Sequence, residues 1–372
     1  MAKIKTAIGL MSGTSMDGID IALIRTDGIG HIEFGPTHGF AYASTESQAI
    51  ANALEDGKAV THRDDRPGKL KGLDGATTYR HIAVLIDFMA NNQLEPEDVD
   101  VVGLHGQTVL HRPDIGLTVQ LGDGALVAQK VGIPVVWDMR ANDMANGGQG
   151  APLVPVFHQA LARQLGSDET VAFVNIGGIS NVTFVRPGQS PVAFDCGPGN
   201  ALLDQWVQAK TNRKFDQDGA LALRGVSSRD ALDAYLRDPF FEQTAPKSLD
   251  RNDFSLSLPE EMSAEDGAAT LAALTAHGIF QAQVTAGIAP KRWIISGGGA
   301  RNAAIMRALR DGLPEAEVST ADEAGFDTDM MEAQCWAYLA VRSLRGLPLT
   351  FPTTTGCEEA CTGGILSLPA SH

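Results

Sequence analysis

The sequence twice builds the same awkward object. "GLMSGTSMDGIDIALI", Gly9–Ile24, is two strand-like apolar runs separated by glycines, hydroxyl residues and aspartates. "ETVAFVNIGGISNVTFV", Glu169–Val185, is a second pair of runs around Gly177 and Gly178. A two-residue turn would join either pair of strands more simply. Each hairpin is followed by a third strand-like run, His31–Tyr42 in one case and "PVAFDCGPGN" in the other, and then by alternating helical and extended patterns. The two halves share this order of elements, not their residues. In 372 residues, more than one ordinary core supports, the order predicts a tandem α/β architecture with largely parallel sheets.

Periodicity fills in the rest. "VDVVGLHGQTVL" and "IPVVWD" read as strands, and Thr78–Asn92, "GDGALVAQKVG" and "APLVPVFHQALARQLG" as helices. The stretch 55–76, with paired aspartates and several glycines, reads as a surface loop. In the second half a helix starts at Ala201, "RWIISGGGARN" holds a strand, Ala303–Leu313 is helical, "AEVST" is extended, and Met331–Leu344 is a long helix. The pattern places the boundary near Gly166–Asp168. Residues 1–167 form one domain, 168–344 the other, and 345–372 pack back on the first. Two such halves facing each other predict a cleft between domains, a common place for small-molecule sites.

Charge narrows the partners. Asp and Glu number 45 against 29 Lys and Arg, a net charge of -16 that repels nucleic acid and anionic membranes. Any phosphate bound by such a chain must be held locally by backbone N–H groups and a metal; elsewhere the charge serves solubility. No apolar stretch reaches bilayer-spanning length. The short run after Lys3 and Lys5 meets Ser12 and Asp17 too early for a signal peptide, so a cytoplasmic protein is expected. Cys196, Cys335, Cys357 and Cys361 form neither metal-ligand pairs nor a disulfide framework, and reduced thiols are expected.

The glycine-rich turns suggest a chemical purpose. Consecutive N–H groups in such a turn can aim at one anion, and side chains larger than glycine would hold phosphate oxygens away. Hairpin chemistry alone also calls for Asn, Asp and Gly, so either turn by itself has a plain explanation. Finding both at the same place in two similar halves favours phosphate. Asp17 and Asp20 supply oxygen ligands suited to Mg2+. A third turn, "ISGGGARNAAIM", lacks both the Gly-Lys-Ser/Thr ending of a Walker loop and the last glycine of a dinucleotide fingerprint. It leaves flat backbone for a base and ribose, or simply tight packing of strand against helix.

These three stretches, in this order, resemble the ATP-binding elements of the actin, sugar kinase and heat-shock ATPase superfamily. With "GLMSGTSMDGID", "GLHGQTVLHRP", "GGQGAPLVP", "VNIGGISNV" and "FDCGPGN", the chain is identified as a member of the anhydro-N-acetylmuramic acid kinases, from Gly9 to the "TGGILSLP" tail. The resemblance implies two ribonuclease-H-like domains with an ATP and substrate cleft between them. It implies a reaction in which water opens the 1,6-anhydro bridge of the sugar while O6 receives the γ-phosphoryl group, as part of cell-wall recycling. Two departures stand out: the family's basic residues after "DFR" are replaced in Asp138-Met139-Arg140-Ala141-Asn142, and 55–76 looks like an insertion.

Carried onto this sequence, the resemblance makes Asp195 the catalytic base. The nucleotide falls to Gly13, Thr14, Ser15, Met16, Asp17, Gly18, Ile19 and Asp20 in the first turn, and to Asn175, Gly177, Gly178, Ser180 and Asn181 in the second. Gly297, Gly298, Gly299 and Asn302 complete it. The sugar falls to His105, Gln107, Thr108, Asp138, Arg140, Asp143 and Glu332, with Arg140 a candidate for the lactyl carboxylate. Each polar residue also has a structural alternative: a turn bond for Asp195, a satisfied core histidine for His105, a surface ion pair for Arg140, a helix-dipole position for Glu332. Cys196 reads as a small buried thiol. ATP and Mg2+ are the expected cofactors and a homodimer is left open. An ATP hydrolase using water alone and an actin-like filament or sensor are the competing functions.

Overall fold

Alternating and continuous apolar runs in the N-terminal half become strands β1 (Lys5–Ser12), β2 (Gly18–Thr26), β3 (Ile32–Ala41), β4 (Val101–Arg112), β5 (Leu117–Leu121) and β6 (Val135–Trp137). The computed structural model describes residues 3–13, 16–166, 168–249 and 253–370. β1, β2 and β3 form an antiparallel meander, β4 and β6 continue beside β1 in parallel, and β5 folds back on β4. The helices of this half are α1 (Ser44–Gly57), α2 (Leu70–Asn91), α3 (Gly124–Val131), α4 (Ala141–Ala145) and α5 (Pro155–Gln164). Ile8, Leu10, Ile19 and Ile21 pack with Val84, Leu85 and Phe88 of α2, and burying each such side chain stabilises the fold by about 2 kcal/mol.

The second half repeats the strand order. β7 (Val171–Ile176), β8 (Ile179–Val185) and β9 (Val192–Pro198) are antiparallel, and β10 (Arg292–Ser296) and β11 (Glu317–Thr320) extend the sheet in parallel from β7. α6 (Ala201–Thr211), α7 (Arg229–Leu236), α8 (Ala264–Ala286) and α9 (Ala303–Gly312) accompany it. Trp293, Phe184, Phe173 and Ile295 are fully or almost fully buried in or against this sheet. The chain then ends with α10 (Met331–Leu344), α11 (Pro352–Thr355) and β12 (Ile365–Ser367), the last pairing antiparallel with β6. No helix among the described residues is long and apolar enough to cross a membrane.

Contacts divide the chain into residues up to Leu165 with those from Met330 onward, and Gly166–Asp329. The molecule is thus a mixed α/β protein with two sheets in two units. One placement differs from the sequence reading: α10, expected in the second domain, packs on β1, β2 and β4 of the first unit. It buries eleven of its fourteen residues, as an all-round apolar helix must. Glycine makes the approach close enough. A Cβ at Gly9 would run into the Ala333 carbonyl, and one at Gly103 into that of Trp336.

The stretch 55–76 is a second correction. α1 continues to Gly57 and α2 begins at Leu70, so only 58–69 is irregular. Asp74, in the first turns of α2, holds this connection by accepting from Arg66 Nε at 2.7 Å and from the Gly122 amide at 2.7 Å. α8, the longest helix among the described residues, lies in a stretch for which the sequence reading predicts no element.

Candidate active site

In the first unit, β1 stops at Ser12 and β2 starts at Gly18. Thr14 and Ser15 lie outside the described residues. Gly13 presents its carbonyl to the Met16 amide at 3.3 Å and to Gln107 Nε2 at 3.1 Å. Met16 sits at φ 56, left-handed for a side-chain-bearing residue, and its carbonyl accepts from Ser47 Oγ at 2.8 Å. Gly18 is needed for packing, since a Cβ would meet the Phe40 carbonyl. Ile19 is buried in the core and offers a ligand only its backbone. Asp17 is exposed and Asp20 half-buried, flanking the first residues of β2.

The middle of β4 braces this turn. Ser12 Oγ donates to the Gly106 carbonyl at 2.8 Å, and His105 Nδ1 lies 3.0 Å from the Ser12 carbonyl. His105 Nε2 lies 3.1 Å from Arg140 Nη2. A guanidinium only donates, so Nε2 is the acceptor and the proton resides on Nδ1. Burial, with Arg140 adding to it, holds this imidazole neutral with a pKa of about 3. Arg140 also donates to the Gly150 carbonyl at 2.9 Å and lies over the Trp336 ring, 5.5 Å from its centroid.

A cavity of about 430 Å³ opens onto this network, lined by Met11, Gly13, His105, Thr108, Arg140 and Glu332, with His111 and Ala151. Four of the seven residues expected to meet the sugar therefore share one wall. Glu332 keeps solvent access, yet burial of its surroundings raises its carboxyl pKa, with Arg140 opposing the shift. Burial likewise lowers the pKa of Arg140, and Glu332 opposes that.

The other three residues point to different work. Gln107 is fully buried and supports the Gly13 turn. Asp143 is buried, accepting from the Gly150 amide at 2.6 Å and from Thr355 Oγ1 at 2.7 Å, so it braces the "GGQGAP" loop that also meets Arg140. Cys357 and Cys361 lie near Asp143, and all four cysteines are free and buried thiols. Asp138 pairs with Arg63 and lines a separate cavity of about 370 Å³ that also reaches His105. Sequence patterning does not single out Met11, His111, Ala151 and Trp336. His111 stands in the quoted "GLHGQTVLHRP" block, six residues beyond His105, and was the most legible of them.

In the second unit the strand register lines up the predicted residues. Ser296 pairs with Asn175, Asn175 with Asn181, and Asn181 with Asp195. Directly paired residues share a face, so Asn175, Asn181 and Asp195 form a polar row across β7, β8 and β9, while Val174, Val182 and Phe194 fill the opposite face. The register slips between Ser180 and Asn181, leaving Cys196 as the extra residue of a bulge beside Asp195. Leu249 N–H donates to Asp195 Oδ2 at 2.8 Å, and the Asp195 amide donates to the Lys247 carbonyl at 3.0 Å. Burial pushes the Asp195 carboxyl up to about 6 against that hydrogen bond.

The second glycine turn is pinned from behind. Asn200 Nδ2 donates to the Ile176 carbonyl at 3.0 Å and to that of Gly177 at 3.1 Å. Gly178 is exposed, and Ser180 Oγ is buried with no partner among the described residues. Gly297, at φ 77, passes so close to Asn175 that a Cβ would strike its Oδ1. Gly298 is exposed beside it and Gly299 packs on Ile176. Asn302 caps α9, its Oδ1 accepting from the amides of Ala304 at 3.0 Å and Ile305 at 3.2 Å. Its side-chain oxygen is thus committed to the helix.

The family profile described as anhydro-N-acetylmuramic acid kinase matches residues 5–368. The chain is 49% identical over 375 residues to the anhydro-N-acetylmuramic acid kinase of Methylorubrum populi, covering 98% of this chain and 99% of that one. It is 51% identical over 373 residues to that of Rhizobium johnstonii, covering 99% of this chain and all (100%) of the relative. The Rhodopseudomonas palustris relative is 49% identical over 364 residues, covering 98% and 99%. Matched from end to end by profile and relatives alike, the chain belongs to the anhydro-N-acetylmuramic acid kinase family, and it is an enzyme of the kinase class.

Proposed function

We propose that this chain uses ATP to phosphorylate 1,6-anhydro-N-acetylmuramic acid while water opens the anhydro bridge, giving N-acetylmuramic acid 6-phosphate. The observation that carries the reading is the placement of Asp195, in line with Asn175 and Asn181, as a carboxylate whose pKa of about 6 leaves it mostly ionised at neutral pH. A base poised near working pH suits a proton taken from water. Asp195 removes that proton as the oxygen bonds to C1, the C1–O6 bond breaks, and O6 takes the γ-phosphoryl group while ADP leaves. Every bond broken is matched by one formed: water supplies the new anomeric hydroxyl, and ATP the new ester.

The first unit is assigned to the sugar. Arg140 would pair with the lactyl carboxylate, and Glu332 and Thr108 would accept or donate to ring substituents. His105, held neutral, keeps Arg140 aimed rather than moving a proton itself. Backbone amides around Gly13 and around Gly177 and Gly178 are the proposed phosphate contacts, with the exposed Gly298 backbone offered to the adenosine. The donor set at Asp17 and Asp20 is all oxygen, which fits Mg2+; bound there, the ion would neutralise phosphate charge. The shared strand order supports reading each unit as a ribonuclease-H-like half. Reuse of cell-wall fragments and amino-sugar catabolism in the cytoplasm is the proposed setting.

The test is ADP release in the presence of Mg2+, with and without 1,6-anhydro-N-acetylmuramic acid, in water enriched in 18O. Strong stimulation by the sugar, phosphate on O6 and the heavy oxygen on C1 are expected. Equal ADP release without sugar would replace this reading with a simple ATP hydrolase.

A further inference from the structure

Lys247 is nine-tenths buried, yet among the described residues no carboxylate lies within ion-pair distance of it. Its Nζ donates to the Phe240 carbonyl at 2.9 Å and sits over the Phe240 ring, 4.2 Å from the centroid. Phe240 is itself locked by edge contacts with Phe241 and Phe254, at 5.6 and 6.0 Å between centroids. Asp238 fixes the turn that carries it, accepting from the Phe240 amide at 2.9 Å. Burying an ammonium without a counter-charge costs several kcal/mol, and a methionine of similar length would fill the same space without that penalty. Retaining the charge therefore calls for a reason at this position.

The reason lies in what the backbone of the same residue does. Residues 247–249 run along the open edge of β9 and grip one residue twice. The Lys247 carbonyl takes the Asp195 amide, and the Leu249 amide gives its hydrogen to Asp195 Oδ2. The first bond fixes the backbone of Asp195 and the second its carboxylate, the group that the proposed function uses as a base. The lysine side chain is the fixed end of this short span. With Nζ tied to the carbonyl and ring of Phe240, the span cannot slide along β9 without breaking a buried charged hydrogen bond. Other titratable groups around Asp195 are few among the described residues: Cys196 on its own strand, while β8 presents uncharged Asn181.

We propose that Lys247 is a positioning residue, anchoring through the Phe240 carbonyl and ring a two-bond backbone clamp that aims Asp195 and keeps it ionised. The inference rests on Asp195 being the base, so the two are tested separately. In Lys247→Met, a loosened Leu249 amide no longer favours the carboxylate. The acid limb of the kcat profile then moves up by about one pH unit, with KM for ATP and sugar within about twofold of the parent. Folding is checked by circular dichroism and thermal midpoint. An unmoved acid limb in folded Lys247→Met, with Asp195→Asn inactive, overturns the anchor alone. A fully active Asp195→Asn overturns the base reading instead. If Lys247→Met does not fold, Phe240→Leu removes the ring and keeps the carbonyl. A smaller shift in the same direction then supports the anchor, and an unchanged profile overturns it.

Discussion

The two units share a strand order and use it differently. In the first, polar side chains reach one another and nearby carbonyls: Ser12 to the Gly106 carbonyl, Gln107 to that of Gly13, His105 to Arg140, Asp143 to Thr355. In the second, the central carboxylate is held by main-chain groups of residues 247–249, and its side-chain neighbours in the row are uncharged. A network of many side chains suits recognition, because each bond fixes a direction. A single buried carboxylate suits proton transfer, because its surroundings set its basicity. On the proposed reading, one topology serves selection in one half and chemistry in the other.

This contrast can be broken experimentally. The largest effect should follow Asp195→Asn, which keeps shape and an acceptor for the Leu249 amide but removes the proposed base. We expect kcat to fall about a thousandfold with both KM values within a few fold. A loss seen mainly in KM would move the chemistry elsewhere. Next, Arg140→Met should lower kcat/KM for the sugar about a hundredfold and leave KM for ATP unchanged. Equal damage to both substrates would erase the division of labour between units.

A smaller effect sharpens the comparison through pH. Asp195 must be ionised to accept a proton, so activity should fall about tenfold per unit below its pKa of about 6. His105, near 3 and neutral above that, should contribute no limb between pH 5 and 8. The smallest effect is on stability. A folded-state pKa above the unfolded value means the folded protein holds the Asp195 proton more tightly, so stability falls as pH rises from about 4 to about 6 and stays at the lower level above that. Asp195→Asn should therefore stabilise the fold by about 1–2 kcal/mol at pH 8, a gain that disappears by about pH 4, read by urea unfolding. Thr355→Val, which breaks the first unit's network, should instead destabilise by about 1–2 kcal/mol. A neutral result there would mean the network is decorative.

The sequence made the hairpins, β4, α3, α9 and α10 legible, because apolar alternation and helical spacing persist through them. It also brought Asp195 and the two asparagines forward, and register then put them in one row. What it hid was long-range. Gln107 and Asp143 looked like ligands because their partners, 94 and 212 residues away, leave no local trace. The stretch 55–76 looked like a loop because of Gly72 and Gly75, but both sit in α2 where an added Cβ would meet open space, and the apolar stripe carries the helix through. Lys247 carries no sequence signal of burial, since a lysine in a polar run reads as exposed.

The return of the chain to its first unit has a consequence for how the protein is made. When Leu165 leaves the ribosome, β1, β2 and β4 still lack α10, and β6 still lacks β12. The Gly166–Asp329 unit is translated whole before either arrives, so it can mature while its elder neighbour waits half-covered. Nascent chains stalled before Met330 should thus expose an apolar sheet to chaperones, and release from that exposure should come only with the last forty or so residues of translation.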